Sequence, residues 1–178
     1  MILPICVYGN AVLRKKAEAV GIVTAELKQL ADDMLDTMYA AKGVGLAAEQ
    51  VGRTERLCVI DVPADCEKEE YRESNAAAAK MPMVLFNPEI ISAEGVQTDS
   101  EGCLSFPKLH SPVERANTVT VTFIDMDGMR QTVTASGLLA RCIQHELDHL
   151  DGVVFLDRAP EAERLKMEKK MKKLAAKK

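Results

Sequence analysis

Two of the three histidines lie four residues apart, in the segment His145-Glu146-Leu147-Asp148-His149. On an α-helix, side chains at positions i and i+4 project from one face about a turn apart, so both imidazoles can bind one metal ion. Glu146 lies beside the first histidine, where a carboxylate can accept a proton from a water that the metal acidifies. The spacing predicts a hydrolytic metal site on a helix. The simpler alternative is an exposed histidine pair on an amphipathic helix.

Two histidines leave such a site one ligand short, because catalytic zinc-type sites usually have three protein ligands and one open position. No further histidine follows His149. A carboxylate downstream would give a thermolysin-like endopeptidase, with Glu161, Glu163 or Glu168 as the ligand. Upstream, Cys103 stands in the segment Glu-Gly-Cys-Leu-Ser, and a thiolate is a good soft ligand. The spacing alone leaves the carboxylate and the thiolate both open.

A second segment that can meet a substrate runs from Gly43 to Gln50 and reads Gly-Val-Gly-Leu-Ala-Ala-Glu-Gln. It is not typical of phosphate binding, since it follows a helix, has no lysine and lacks a third well-spaced glycine. A run of small residues followed by the side-chain amide of Gln50 suggests a loop where a substrate can approach the backbone. The alternative is a plain helix-to-strand turn with a solvated Gln50.

The elements that must position these residues follow from local patterns. Thr24 to Ala41 is expected to be a helix, with Thr24 as its cap, Gly43 just past its end and an apolar stripe of Leu27, Leu30, Met34 and Met38. A short buried strand is expected at Leu57 to Val62. The charged and then alanine-rich segment from Ala64 to Met81 is expected to be an exposed loop with at most a short helical turn.

Farther along the chain, strands are expected around the turn signals. Met83 to Phe86 and Glu89 to Gly95 flank an Asn-Pro pair, and Thr118 to Ile124 and Met129 to Ala135 flank an Asp-Gly pair that predicts a hairpin. From Ser136 the apolar residues follow a helical period, which places the two histidines on a helix that ends near Gly152. A last helix is expected from Pro160. The layout is that of an α+β protein.

Composition narrows the class of protein. The chain has 178 residues, 47% of them apolar and 28% charged, with a net charge of −4. These values favour one globular domain and argue against bulk attraction to nucleic acid. No apolar run is long enough to span a membrane. The five cysteines have no disulfide-framework spacing and suggest a reducing cytosol; they are Cys6, Cys58, Cys66, Cys103 and Cys142.

Three segments together resemble the peptide deformylase family, which is marked in order by Gly-x-Gly-x-Ala-Ala-x-Gln, Glu-Gly-Cys-x-Ser and Gln-His-Glu-x-Asp-His. All three motifs occur here without a mismatch, at Gly43–Gln50, Glu101–Ser105 and Gln144–His149. The resemblance covers most of residues 1–160. It implies an α+β fold in which antiparallel sheets pack around a central helix that bears the His-Glu-x-x-His motif, with a C-terminal helix. It also implies that residues 1–178 form a single catalytic domain.

The resemblance implies a role for each matched position. In the family, the cysteine of the second motif and both histidines of the third bind the metal, so the implied ligands are Cys103, His145 and His149. The implied proton-transfer residue is Glu146. The side chain of Gln50 and the backbone N–H of Leu104 are implied to contact the formyl oxygen.

The implied substrate site lies around the same motifs. Val44, Leu138 and Cys142 are expected to line an apolar pocket for a methionine side chain, and Gly43 and Gly45 are expected to offer backbone groups to the peptide. The alternative for these residues is ordinary core packing. One departure is His110, which stands where many members of the family have an arginine.

The implied reaction removes formate from the N-formyl-methionine that begins nascent bacterial and organellar polypeptides, which places the protein in the cytoplasm. The family typically uses one divalent ion, Fe(II), and also works with substitutes such as Zn, Ni or Co. An inactive relative retained as a binding protein is a third possibility. It is disfavoured because all five residues that carry the implied chemistry are present: Gln50, Cys103, His145, Glu146 and His149.

The charge is unevenly distributed. Residues 160–178 carry eight basic and three acidic side chains, a local charge of +5, so the rest of the chain carries −9. A basic C-terminal helix suggests contact with the phosphate-rich ribosome surface, where nascent chains emerge. The alternative is a solvated amphipathic helix with no such partner.

Overall fold

The structure is a computed structural model that describes residues 1–176. Within this range, the strands form two antiparallel sheets. The larger sheet has the order β1-β2-β3-β6-β7, with β1 at Gly45–Ala47, β2 at Leu57–Ile60, β3 at Met83–Glu94, β6 at Thr118–Ile124 and β7 at Arg130–Ser136. The smaller is a hairpin of β4 at Gln97–Cys103 and β5 at Phe106–Arg115. The helices are α1 at Ala25–Ala40, α2 at Glu69–Ala78, α3 at Gly137–Leu150, α4 at Phe155–Arg158 and α5 at Glu161–Ala176.

Helix α3 runs through the middle of the molecule, between the two sheets. One side packs into the cluster that covers the five-stranded sheet, where Ile143 and Leu147 join Leu85 and Val121. On the other side, Phe155 stacks at 6.3 Å on the ring of His145 and belongs to the cluster beneath the β4–β5 hairpin. Antiparallel sheets around a central helix are the arrangement that the family resemblance predicts, and the expectation is confirmed.

Helix α1 begins and packs as its sequence predicts. The Thr24 hydroxyl accepts a hydrogen bond from the backbone N–H of Leu27, and Met34 and Met38 are fully buried against the outer face of the five-stranded sheet. The end of the helix differs from the expectation. Lys42, with φ of 58°, adopts the left-handed conformation that closes the helix, and Gly43 follows it in a different conformation.

The segment from Ala64 to Met81 is the main departure from the sequence analysis, because it contains the ten-residue helix α2. Two of its polar side chains, Glu67 and Asn75, are buried against the start of α3. The composition of this segment did predict exposure for most of it. A local sequence pattern cannot show that Glu67 and Asn75 form hydrogen bonds with residues far away in the chain.

Two further strand predictions need correction. The segments on either side of the Asn-Pro pair form one strand, β3, which tolerates a bulge at Asn87 because that residue takes a φ of 49° and its side chain pairs with the backbone of Val20. The β4–β5 hairpin was not predicted. Its strands alternate buried and exposed side chains only in part, and Gly102 and Pro112 lie inside them. The hairpin predicted around Asp127 and Gly128 is present as β6 and β7.

Helix α5 is the predicted last helix, and residues 177 and 178 at the end of the basic tail lie outside the described residues. Met167 is buried in the cluster with Phe155, whereas the lysines of this helix are exposed. Within residues 1–176, no helix is both long enough and apolar enough to cross a membrane.

Candidate metal centre

Three potential ligand atoms converge where the β4–β5 hairpin meets the C-terminal half of α3. Cys103 is the last residue of β4, and His145 and His149 lie one turn apart on α3. One ligand atom from each residue lies within 4.8 Å of the other two, and the Sγ of Cys103 is 3.3 Å from the Nε2 of His149. A thiolate with two imidazoles suits borderline and soft divalent metals, and three protein ligands leave a coordination position open.

The surroundings of His145 favour a positive charge at this point. Burial would by itself lower its pKa, but the hydrogen bonds to Cys103 and Glu101 outweigh burial and raise the pKa to about 10. Its Nδ1 lies 2.8 Å from the Glu101 carboxylate, which leaves Nε2 for a metal. Burial lowers the pKa of His149 and keeps that imidazole in the neutral form that binds metals. The donor set therefore fits a divalent cation.

Glu101 is the centre of a buried ionic network behind the metal ligands. Its carboxylate accepts two hydrogen bonds of 2.9 Å from Arg115 and one from Arg141 in addition to the contact with His145. Although burial opposes ionisation, these partners hold the pKa of Glu101 well below its usual range. Asp148 connects the network to the surface, because it accepts hydrogen bonds from both Arg115 and Arg158.

The spacing along the chain left two candidates for the third metal ligand, Cys103 or a glutamate of α5. Only Cys103 lies close enough to the two histidines. Among residues 1–176, the group close enough to share a metal ion contains Cys103 and none of the glutamates of α5. Glu161 and Glu168 are exposed on that helix, and Glu163 pairs with Lys166. A Glu-ligated, thermolysin-like centre is therefore not formed by these residues.

Gln50 is held beside the metal ligands by contacts at both ends of its amide. Its Oε1 accepts the backbone N–H of Ala47 at 2.9 Å, and its Nε2 donates to the Ser105 hydroxyl at 3.1 Å. The same Nε2 lies 3.5 Å from the Sγ of Cys103. Because Gln50 and Ser105 are fully buried, the amide has a fixed orientation and is not the solvated side chain of the alternative interpretation.

Glu146 of α3 lies against β1, at Gly45 within the glycine segment. A Cβ at position 45 would lie 2.5 Å from its Oε1, so only glycine leaves room for the carboxylate. Its Oε2 is buried and has no hydrogen-bond partner within the described residues. Burial raises the pKa of Glu146 to about 7, which suits a group that takes up and releases protons near neutral pH.

A groove of about 480 Å³ opens onto these residues. The residues that line it include all five that are expected around the substrate, namely Gly43, Val44, Gly45, Leu138 and Cys142. Leu104 also lines it, and its side chain lies so close to Gly43 that a Cβ there would be 2.7 Å away. His110 lies over Gly102 in the same manner at the wall of the groove.

Sequence reasoning missed Glu101, Arg115 and Arg141 as parts of the site. Their contacts join β4, β5 and α3, so no local period connects them. The available signal was that Glu101 and Arg141 lie within two and four residues of a candidate metal ligand. Ser105 was quoted only as the end of a motif, and its bond to Gln50 needs the tertiary structure.

Comparisons with known proteins agree with this geometry. A sequence model of the family described as polypeptide deformylase matches residues 2–165. The peptide deformylase of Endomicrobium trichonymphae is 46% identical over 166 residues, which cover 93% of this chain and 91% of that protein. The peptide deformylase of Agrobacterium fabrum is 43% identical over 175 residues, which cover 98% and 96%.

Solved structures show the same similarity in three dimensions. A crystal structure of a peptide deformylase from Legionella pneumophila superimposes with a TM-score of 0.84 at 39% identity, covering 100% of this chain and 99% of that one. A peptide deformylase from Synechococcus elongatus in complex with actinonin gives a TM-score of 0.83 at 41% identity, covering 94% and 85%.

Proposed function

We propose that this chain, which belongs to the peptide deformylase family, is a metal-dependent enzyme that removes the formyl group from N-formyl-methionine at the start of nascent polypeptides. The observation that carries the proposal is the convergence of Cys103, His145 and His149 on one point beside Gln50 and Glu146. Fe(II) is the proposed physiological ion, and Zn, Ni and Co are the proposed substitutes. Residues 1–178 are proposed to act as one cytoplasmic catalytic domain.

A divalent cation held by the three ligands would supply a water that is acidic enough to react near neutral pH. Glu146 is the proposed base: its carboxylate would take a proton from the water whose oxygen attacks the formyl carbon. The C–N bond then breaks, and Glu146 returns the proton to the leaving amine, so that formate and a free α-amino group result. A pKa of about 7 allows one carboxyl group to perform both transfers.

Gln50 and Leu104 are the proposed donors to the formyl oxygen, which gains negative charge during the attack. The Gln50 amide is already fixed by Ala47 and Ser105, so no reorganisation is needed when the charge develops. A preorganised donor of this kind contributes about 3 kcal/mol of transition-state stabilisation. The backbone N–H of Leu104, a residue that also lines the groove, is proposed to donate to the same oxygen.

The substrate side chain is proposed to enter the apolar part of the groove. Val44, Leu138 and Cys142 line it, and burial raises the pKa of the Cys142 thiol, so this cysteine offers an apolar and unreactive surface. Gly43 and Gly45 are proposed to present backbone groups to the peptide.

The proposed partner at the α5 end is the ribosome surface, which the exposed lysines of this helix would contact.

The test is formate release from formyl-Met-Ala-Ser by enzyme that has been prepared anaerobically with Fe(II). Release above the metal-free control is expected. No release above that control would refute the proposal and favour a binding protein.

A separate test addresses the ribosome contact. Replacing the exposed Lys169, Lys170, Lys172 and Lys173 by glutamine is expected to weaken co-sedimentation with ribosomes at low salt and to leave peptide turnover unchanged. A deletion that removes the buried Met167 would confound this test.

A further inference from the structure

The segment between β2 and β3 places a buried carboxylate at the start of the metal-binding helix. The side chain of Glu67 is only 5% exposed. Its two oxygens accept the backbone N–H groups of Leu138 and Leu139, each at 2.9 Å, as well as that of Lys68 and the side-chain amide of Asn75. A negative charge is thus held at the positive end of α3 by a residue about 70 positions earlier in the chain.

This contact replaces a cap that α3 lacks. Ser136 occupies the N-cap position, but its hydroxyl pairs with Thr118 and does not cap the helix. The first N–H groups of a helix have no partner within the helix, and burying them without one is costly. Glu67 is therefore the residue that satisfies the N–H groups of Leu138 and Leu139.

Helix α2 fastens the same turn by two further contacts. Asn75 donates to the carbonyl of Ser136 and accepts its N–H, both at 3.0 Å. The ring of Tyr71 lies so close to Gly137 that a Cβ there would be 2.5 Å away, and its hydroxyl accepts a hydrogen bond from Asn117. The turn held by Glu67, Tyr71 and Asn75 is called the clamped turn below, and it comprises residues 136–139.

The clamped turn is also a wall of the substrate groove. Leu138 lines the groove, and Cys142 lies one helical turn farther along the same face. Leu139, the neighbour that Glu67 also binds, is packed in the core. The metal ligands begin at His145, two turns away, and have their own support from Glu101.

We propose that Glu67 is a positioning residue that sets the shape of the methionine pocket by fixing Leu138. The proposal rests on the proposed function, since it assigns a residue to side-chain selection in that reaction. Removal of Glu67 leaves the N–H groups of Leu138 and Leu139 without their acceptor, so this end of the clamped turn loosens and Leu138 no longer keeps a fixed distance from Val44 and Cys142. We therefore expect kcat/KM to fall for substrates whose side chain fills the pocket, whereas the metal content stays unchanged.

The test compares wild type with Glu67→Gln and Glu67→Ala, and with Glu69→Ala as the matched control on the exposed first turn of α2. Each protein is loaded with the same metal, its metal content is measured, and kcat and KM are determined for formyl-Met-Ala-Ser and formyl-Ala-Ala-Ser. We expect Glu67→Ala to lower the Met-to-Ala ratio of kcat/KM about tenfold, mainly through KM for the Met substrate. Glu67→Gln keeps one acceptor oxygen and is expected to give a smaller change in the same direction.

The proposal would be overturned if kcat/KM fell equally for both substrates, or if the Met-to-Ala ratio of kcat/KM stayed unchanged in both variants. A merely structural role changes the amount of active enzyme and not its selectivity. If Glu67→Ala does not fold, the ratio for Glu67→Gln decides. A shift of similar size in Glu69→Ala would also contradict it. Failure of wild type to release formate from either substrate would count against the proposed function and not against the placement of Glu67.

Discussion

The buried carboxylate of Glu101 offers the sharpest test of how the metal centre is supported. It accepts hydrogen bonds from Arg115 and Arg141 and contacts His145, and both arginines are themselves buried. Glu101→Gln keeps the shape of the side chain but removes its charge, and it turns an amide N–H₂ group towards donors. At least one arginine contact is therefore lost: Arg115 keeps its pair with Asp148, but Arg141 is left with backbone carbonyls and no carboxylate among the described residues.

The expected loss can be estimated from these contacts. Breaking a buried ion pair by removing one partner costs about 3–5 kcal/mol of unfolding free energy. Loss of the carboxylate that orients a metal-binding histidine typically lowers metal affinity about 10–100-fold. Both effects have the same sign here, because the unbalanced charges of Arg115 and Arg141 also repel a cation. We expect Glu101→Gln to show both losses.

Urea unfolding of the metal-free proteins at pH 7 measures the first effect, and competition for Zn²⁺ against a chromophoric chelator measures the second. Glu114→Gln is the matched control, since Glu114 lies on β5 next to Arg115 but is exposed and points away from the network. A loss below about 1 kcal/mol together with metal affinity within threefold of wild type would refute the assigned role. A similar loss in the control would show that the hairpin, and not the ionic network, is sensitive.

Three other changes test the site and the core. Glu146→Ala is expected to keep its metal and to lose turnover at least about 10²-fold, and loss of metal on elemental analysis would contradict the role of a base. Gly45→Ala places a methyl group 2.5 Å from the Glu146 carboxylate, so kcat should fall with little change in metal content, and unaltered kcat would refute the close packing. Glu49 is fully buried with both carboxylate oxygens unpartnered among the described residues, and burial raises its pKa to about 8 from an ordinary 4.5. Between pH 4.5 and 8 only the unfolded chain releases this proton, so the stability of wild type falls as the pH rises. In urea unfolding, Glu49→Gln should be more stable than wild type by about 4 kcal/mol at pH 8 and about equal to it at pH 4.5, and equal curves at both pH values would contradict this.

Local sequence patterns were sufficient for helices α1, α3 and α5 and for the hairpin with a strong turn. Thr24 and the apolar stripe after it defined α1, and the Asp-Gly pair defined the turn between β6 and β7, because caps and turns depend on residues within a few positions. The β4–β5 hairpin was missed because its buried positions include the polar residues Glu101, Ser111 and Arg115, so apolar and polar residues do not alternate, and because its register shifts between Gly102 and Cys103. Helix α2 was missed because the two buried polar residues of this segment, Glu67 before the helix and Asn75 within it, find partners at the start of α3.

By itself the sequence determined the two histidines on one helical face, the neighbouring Glu146 and, through three matched motifs, the family. These features depend on spacing along the chain, and a helix converts spacing directly into geometry. Only the tertiary structure brought Cys103 to those histidines, buried Glu101 between two arginines and set Glu67 at the start of α3. Contacts between residues dozens of positions apart depend on how whole elements pack, and no local period encodes them.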